Sequence, residues 1–396
     1  MERLINGIQQ VGIGVADAGA AFKWYKKYFG FNTIVFEDVA EASLMKRYTG
    51  GQVHQRYAVL AMNMQGGGGL EIWQYTSRRP NAANEILQLG DPGIFAIKIK
   101  CRNVEDLYNL YQQEEINIVS PIAKNPLGQK NFFISDPFDN LFQMVEDDYW
   151  FQNKKGLTGG VCGAIFGVSN LKSATEFYQN ILDYKTVAHC VDQTFNDLEE
   201  LPGGREVMSR SILKNTPTFN GAFSKLLGPT TIELIEVKKQ QAKKIFEDRY
   251  WGDLGFIHIC YDVCSMQSHQ KLCAENGQPL TVNSGNSFKM GETAGQFAYN
   301  EDPDGTLIEY VETHKIPILK KLGWYLDLRK RKYTRPLPGW IIKCMGFGNK
   351  TLQLSSSHVD ETNTEGSKKS KSIMKRIIIY SCKKRYNPWL LIAAFN

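Results

Sequence analysis

The sequence predicts an α+β chain of four βαβββ-like modules followed by a basic C-terminal extension. Three observations carry this expectation. A strand-and-helix opening recurs at an offset of 153 residues, each opening is followed by a second strand-and-helix unit, and each second unit closes on an Asp-Pro turn between two strands.

The first opening is Gln10-Val11-Gly12-Ile13-Gly14-Val15-Ala16-Asp17, which returns in outline as Gly163-Ala164-Ile165-Phe166-Gly167-Val168-Ser169-Asn170. The same offset lays Trp24-Tyr25-Lys26-Lys27-Tyr28-Phe29-Gly30-Phe31 onto Phe177-Tyr178-Gln179-Asn180-Ile181-Leu182-Asp183-Tyr184, apolar on apolar. One frame shared by both stretches indicates duplication. Each reads as a short apolar strand, a polar turn suited to capping a helix, and an amphipathic helix.

The second units begin at Gly93-Ile94-Phe95-Ala96-Ile97-Lys98-Ile99 and Gly255-Phe256-Ile257-His258-Ile259-Cys260-Tyr261, with helical stretches from Val104 to Glu114 and from Ser265 to Asn276. They close at Asp136-Pro137-Phe138-Asp139-Asn140 and Asp302-Pro303-Asp304-Gly305-Thr306, which is turn chemistry. The run Gly66-Gly67-Gly68-Gly69 leads into the strand Leu70-Glu71-Ile72-Trp73 rather than a helix, so it reads as a hairpin turn and not a phosphate cradle.

Over residues 5 to 312 this pattern resembles the vicinal oxygen chelate superfamily, the glyoxalase, bleomycin-resistance and dioxygenase group. The resemblance implies two tandem glyoxalase-like domains with curved mixed sheets, at 1–152 and 158–314. It also implies one ligand position in the first and the last strand of each module. In the N-terminal half those positions hold Gln10, Glu71, Ala96 and Gln143, a donor set too poor in imidazole and carboxylate for a transition ion. That half is expected to be metal-free. In the C-terminal half they hold Gly163, Glu233, His258 and Glu309.

The resemblance to glyoxalase I then implies one divalent ion (iron, manganese, zinc, nickel or cobalt) on Glu233, His258 and Glu309, with the first ligand lost to glycine. Period-two alternation supports the placement. It sets His258 with Cys260 and Asp262 opposite Ile257 and Ile259, and Glu309 opposite Ile308 and Tyr310. The alternative is a satisfied sheet histidine with two solvent-facing glutamates, yet an acid inside an apolar strand is costly unless it is paired or bound to metal.

Such an ion would polarise a substrate carbonyl or stabilise an enediolate, which is lyase, isomerase or epimerase chemistry, with Glu309 as first candidate base and Glu233 as second. Two other readings stay open. A ring-cleaving or 2-oxo-acid dioxygenase needs two histidines where this chain offers one. A non-catalytic binding protein of bleomycin-resistance type would hold a small ligand without metal.

Composition sets the remaining expectations. No basic start leads into an apolar run and no 18 uninterrupted apolar residues occur, so a cytoplasmic location is expected. The 8 cysteines form no CxxC pair and are expected as thiols. From Lys315 onward 18 Lys and Arg face 4 Asp and Glu, and the remaining 29 against 37 leave a body of −8 and a tail of +14. The body therefore gives no reason to expect nucleic-acid binding.

The expected partner is a small-molecule substrate, and the chain is expected as a monomer or homodimer. The extension at 315–349 either covers the acidic body, the favoured reading, or makes a peripheral membrane contact. Residues 350–396 read as a disordered linker and an apolar terminal segment.

Overall fold

The computed structural model describes residues 3–153, 156–238, 242–285, 288–290, 293–319, 324–332 and 334–345. The linker and apolar terminal segment expected at 350–396 lie outside the described residues.

Module one comprises β1 (Leu4–Gly14), α1 (Ala18–Tyr28), β2 (Thr33–Glu41), β3 (Gln55–Met62) and β4 (Gly69–Tyr75). Module two comprises β5 (Gly93–Cys101), α2 (Val104–Gln113), β6 (Ala123–Lys124), β7 (Lys130–Ser135) and β8 (Leu141–Glu146). Module three comprises β9 (Thr158–Gly167), α3 (Leu171–Leu182), β10 (Lys185–Gln193), β11 (Met208–Asn215), the short α4 (Ser224–Leu227) and β12 (Thr230–Val237). Module four comprises β13 (Gly255–Cys264), α5 (Met266–Glu275), β14 (Val282–Asn283), β15 (Phe288–Met290), β16 (Thr293–Glu301) and β17 (Leu307–Leu319).

The helices start where the sequence supplies caps. Asp17, Asn103 and Asn170 each accept a hydrogen bond from the backbone N–H three residues on, which satisfies one of the free donors of a first turn. Helix α5 lacks such a side chain. Glu312 of β17 reaches across instead and accepts from the N–H groups of Ser265 and Met266.

Two curled mixed sheets result, consistent with two glyoxalase-like half-barrels. One runs β14-β16-β17-β13-β1-β4-β3-β2 and the other β10-β11-β12-β9-β5-β8-β7-β6. Each takes one module from either half of the sequence: β1 of module one pairs antiparallel with β13 of module four, and β5 of module two with β9 of module three. The main core lies between the sheets and the helices, with Val11, Ile97, Phe142, Phe166, Tyr178 and Tyr310 among its buried members. The inner face of each half-barrel carries a separate cluster, one around Trp73, Trp251 and Tyr299, the other around Phe95, Phe195 and Met208.

Contacts between modules recur as the duplication requires. The Tyr25 hydroxyl donates to Asp136 in the closing turn of module two, and Tyr178 donates to Asp302 in that of module four. The glycine run is indeed a turn, and it has a second role. Gly68 exchanges two backbone hydrogen bonds with Val161, and a Cβ on Gly67 would lie 2.7 Å from the Gly160 carbonyl carbon, so only glycine lets the two backbones meet.

Part of the basic extension packs on the body. Ile316, Leu337, Ile341 and Ile342 are buried with Met62, Met64, Leu226 and Leu227. Among the described residues no helix is long and apolar enough to cross a membrane.

Candidate metal centre

Strands β17, β13, β1 and β4 lie side by side at the middle of the first sheet, so the ligand positions of modules one and four converge. Gly12 of β1 sits opposite His258 on one side and Glu71 on the other, and Glu309 sits opposite Cys260. A Cβ on Gly12 would lie 2.2 Å from His258 Cε1, so glycine here lets the imidazole lie across its neighbouring strand.

His258 Nε2 stands 3.1 Å from Glu309 Oε2 and 3.4 Å from Glu71 Oε2, and the ligand atoms of the three residues lie within 4.8 Å of one another. Gln10 Nε2 is 3.1 Å from Glu71 Oε2 and 3.4 Å from Glu309 Oε2. The four residues are between 0% and 5% exposed. Trp251 stacks on the imidazole at 6.1 Å between ring centres, and Tyr299 meets it edge-on at 5.5 Å.

The structure thus brings together two of the three expected ligand residues, His258 and Glu309, and places Glu71 and Gln10 beside them. Glu233 does not join them. It lies in the second sheet, where Lys98 Nζ is 2.5 Å from its Oε1 and Arg210 Nε donates to its Oε2 at 2.6 Å. The expectation paired modules three and four, but β13 hydrogen-bonds to β1 instead. Gln10 and Glu71, assigned above to a metal-free half, therefore face His258. Gly163, read above as a lost ligand, belongs to the other sheet.

Alternation holds for His258, Cys260 and Asp262 against Ile259, and for Glu309 against Ile308 and Tyr310. It fails at Ile257, which joins the Trp251 cluster, because the pairing of β1 with β13 shifts register between Gly12 and Ile13.

The donor set fits a divalent ion. His258 Nδ1 and Nε2 and Gln10 Oε1 are buried without a hydrogen-bond partner, as are the indole nitrogens of Trp73 and Trp251 in the surrounding wall. Buried polar atoms are ordinarily satisfied, and an unpaired imidazole Nε2 facing two buried carboxylates indicates a group that completes it. A half-turn of the Gln10 amide would present its oxygen to the same point, and imidazole, carboxylate and amide oxygen suit first-row transition ions. Burial pushes the His258 imidazolium down, yet Glu309 and Glu71 outweigh it and raise its pKa to about 9. Two converging carboxylates thus favour a positive charge at this point, whether proton or metal.

Beside the site lies a cavity of about 430 Å³ whose lining includes Arg47, Lys244, Arg249, Trp251, Ile257 and Leu307. Trp251 forms part of its wall and of the cover over His258. Its segment is tied down by buried Asp253, which accepts from Arg78 at 2.6 Å and from the N–H groups of Asn81 and Tyr250.

Residues 7–144 match the sequence model of the Glyoxalase/Bleomycin resistance protein/Dioxygenase superfamily. That stretch covers modules one and two, and there the chain is similar to that superfamily. Solved structures share the fold of this chain over most of its length. A point mutant of glyoxalase I from Zea mays is 13% identical with a TM-score of 0.50, over 78% of this chain and 92% of that one. A putative dioxygenase from Bacillus subtilis is 12% identical with a TM-score of 0.52, over 78% and 86%. No curated protein matches the sequence.

Proposed function

We propose that this chain is a metal-dependent enzyme that moves a proton at a carbon next to a carbonyl in a small-molecule substrate, in lyase, isomerase or epimerase chemistry. The observation that carries this reading is the buried convergence of Glu71, His258 and Glu309, with Gln10 beside them and the imidazole nitrogens unpaired. Glu71, His258 and Glu309, with the Gln10 amide oxygen, would hold the ion. When bound, it supplies a Lewis acid that draws electron density from a carbonyl oxygen.

The chain's own residues do the rest. Glu309, the expected base, keeps that role, and Glu71 takes the second place given above to Glu233. A carboxylate that loosens its hold on a cation gains a lone pair to accept the proton and return it to the same or the neighbouring carbon. Trp73, Trp251 and Tyr299 wall the site with apolar surface, which keeps water from a carbanionic carbon and strengthens charge interactions. The site has one histidine, so the dioxygenase reading, which requires two, gains no support from the geometry.

The test is elemental analysis of the full chain after metal depletion and reloading with manganese, nickel, zinc or iron(II), beside E71A, H258A, E309A and E233A. About one ion per chain, lost in the first three variants and kept in E233A, is expected. The reaction class is then read as solvent deuterium uptake next to the carbonyl across a panel of α-hydroxy and α-oxo carbonyl compounds, with E309Q inactive while metal-loaded. Absence of bound metal under every condition would sink the proposal.

A further inference from the structure

The two half-barrels correspond register by register. Glu71 sits beside Gly12 of β1 and Glu233 beside Ile165 of β9, and Gly12 and Ile165 correspond at the duplication offset. His258 likewise corresponds to Ala96, Glu309 to Gln143, Gln10 to Gly163 and Cys260 to Lys98. The second half-barrel thus keeps one carboxylate and one amide of the four ligand positions, a set that does not fit a transition ion.

A cation is nevertheless there. Lys98 reaches from the strand position two beyond Ala96, and its Nζ donates to Gln143 Oε1 and to Glu233 Oε1, the equivalents of Glu309 and Glu71. Lys98, Gln143 and Glu233 are essentially without solvent exposure. The missing ligands make room for the long side chain. A Cβ on Gly163 would lie 2.8 Å from Lys98 Cδ, and with alanine at 96 no ring crosses β9, so Ile165 stands where the first half-barrel needs Gly12.

The surroundings complete the balance. Arg210 bridges Glu233 to Asp197, donating to both Asp197 oxygens at 2.8 Å, and Asn131 accepts from Gln143 at 2.9 Å. Two cations face two carboxylates, and Phe195, Leu198 and Leu201 bury the group.

We propose that the Lys98 ammonium occupies in the second half-barrel the place that a divalent ion takes in the first, giving the chain one metal site and one built-in cation. A tethered charge cannot be chelated, exchanged or lost, so this half-barrel serves as a permanently closed scaffold and takes no metal.

The argument for a cation in the first half-barrel is the proposed function above, but the test separates the two. Thermal unfolding of the full chain is compared for wild type, K98M, E233Q and K98M/E233Q. Removing one partner of a buried, hydrogen-bonded charge group is expected to lower Tm by on the order of 5 to 10 °C in K98M. K98M/E233Q is expected to recover part of that loss, because neutrality is restored. An unchanged Tm in K98M, or additive losses in the double variant, would overturn the proposal whether or not the first site binds metal.

The second readout is H258A offered manganese, nickel or zinc. It is expected to hold no ion, and an ion kept by H258A but lost in H258A/E233A would equally overturn the proposal. Should K98M fail to fold, that metal count decides alone.

Discussion

Glu71 Oε2 and His258 Nε2 lie 3.4 Å apart although they come from the first and the last of the four modules. The contact exists because β1 is hydrogen-bonded to β4 on one edge and to β13 on the other, with Gly12 between the two side chains. The chemistry expected of the chain depends on that juxtaposition.

Gly12 is accordingly a backbone position on which the site depends. G12A would place a methyl group 2.2 Å from His258 Cε1 and push the ring aside. Affinity for a divalent ion is expected to fall at least about tenfold, as for other changes that disturb ligand orientation. Calorimetric titration of the metal-depleted protein measures it, and an unaltered affinity would show that the imidazole is not a ligand.

Trp251 covers His258 and packs against Trp73 at 4.8 Å. W251A is expected to cost about 3 kcal/mol by opening a cavity in the inner cluster. Urea unfolding gives the value. A cost below about 1 kcal/mol would mean that the covering segment is not held by this ring.

The second half-barrel should govern acid stability. Burial pushes the Glu233 carboxyl up, but Arg210 and Lys98 outweigh it and hold its pKa down to about 2 against an ordinary 4.5. A carboxyl depressed in the folded state adds stability that is fully present above about pH 4.5 and is lost as pH falls through about 2. The stability difference between wild type and E233Q should therefore be largest near neutrality, of order 3 kcal/mol, and shrink steadily below pH 4.5. Unfolding at a series of pH values tests this, and a difference independent of pH would contradict it.

Glu312 offers a control outside the candidate ligand set, on the strand that carries Glu309. It caps α5 through the N–H groups of Ser265 and Met266, so E312A is expected to cost about 1 kcal/mol while leaving metal content unchanged. Loss of metal in E312A would show that the position of α5 matters to the site.

Much of this architecture is legible in the residues. The repeat offset, the caps at Asp17 and Asn170 and the Asp136 and Asp302 turns each rest on local chemistry, and each appears in the fold. Strand alternation likewise places His258 and Glu309 on one inner face, because successive side chains point to opposite sides of a sheet. The miss at Ile257 has a local cause, a register shift against Gly12 that leaves no mark in the sequence of β13 itself.

The ligand set is legible only in pieces. Gln10, Glu71, His258 and Glu309 all stand at ligand positions in the sequence, but pairing by sequence halves divides them between two sites, and it leaves Lys98 as one polar residue in an apolar strand. A basic side chain within Ile97-Lys98-Ile99 is the available signal, since a buried ammonium requires an acidic partner.

By itself, then, the sequence determined the four modules, their inner and outer faces and the residues able to bind a cation, because these follow from periodicity and side-chain chemistry within each module. Only the tertiary structure decided which modules share a sheet. Strand edges pair through backbone N–H and C=O groups that every residue carries, so nothing local in β1 distinguishes β13 from β5 as a partner. Packing of the whole chain made that choice, and with it assembled one candidate metal site and one buried lysine site from the same duplicated plan.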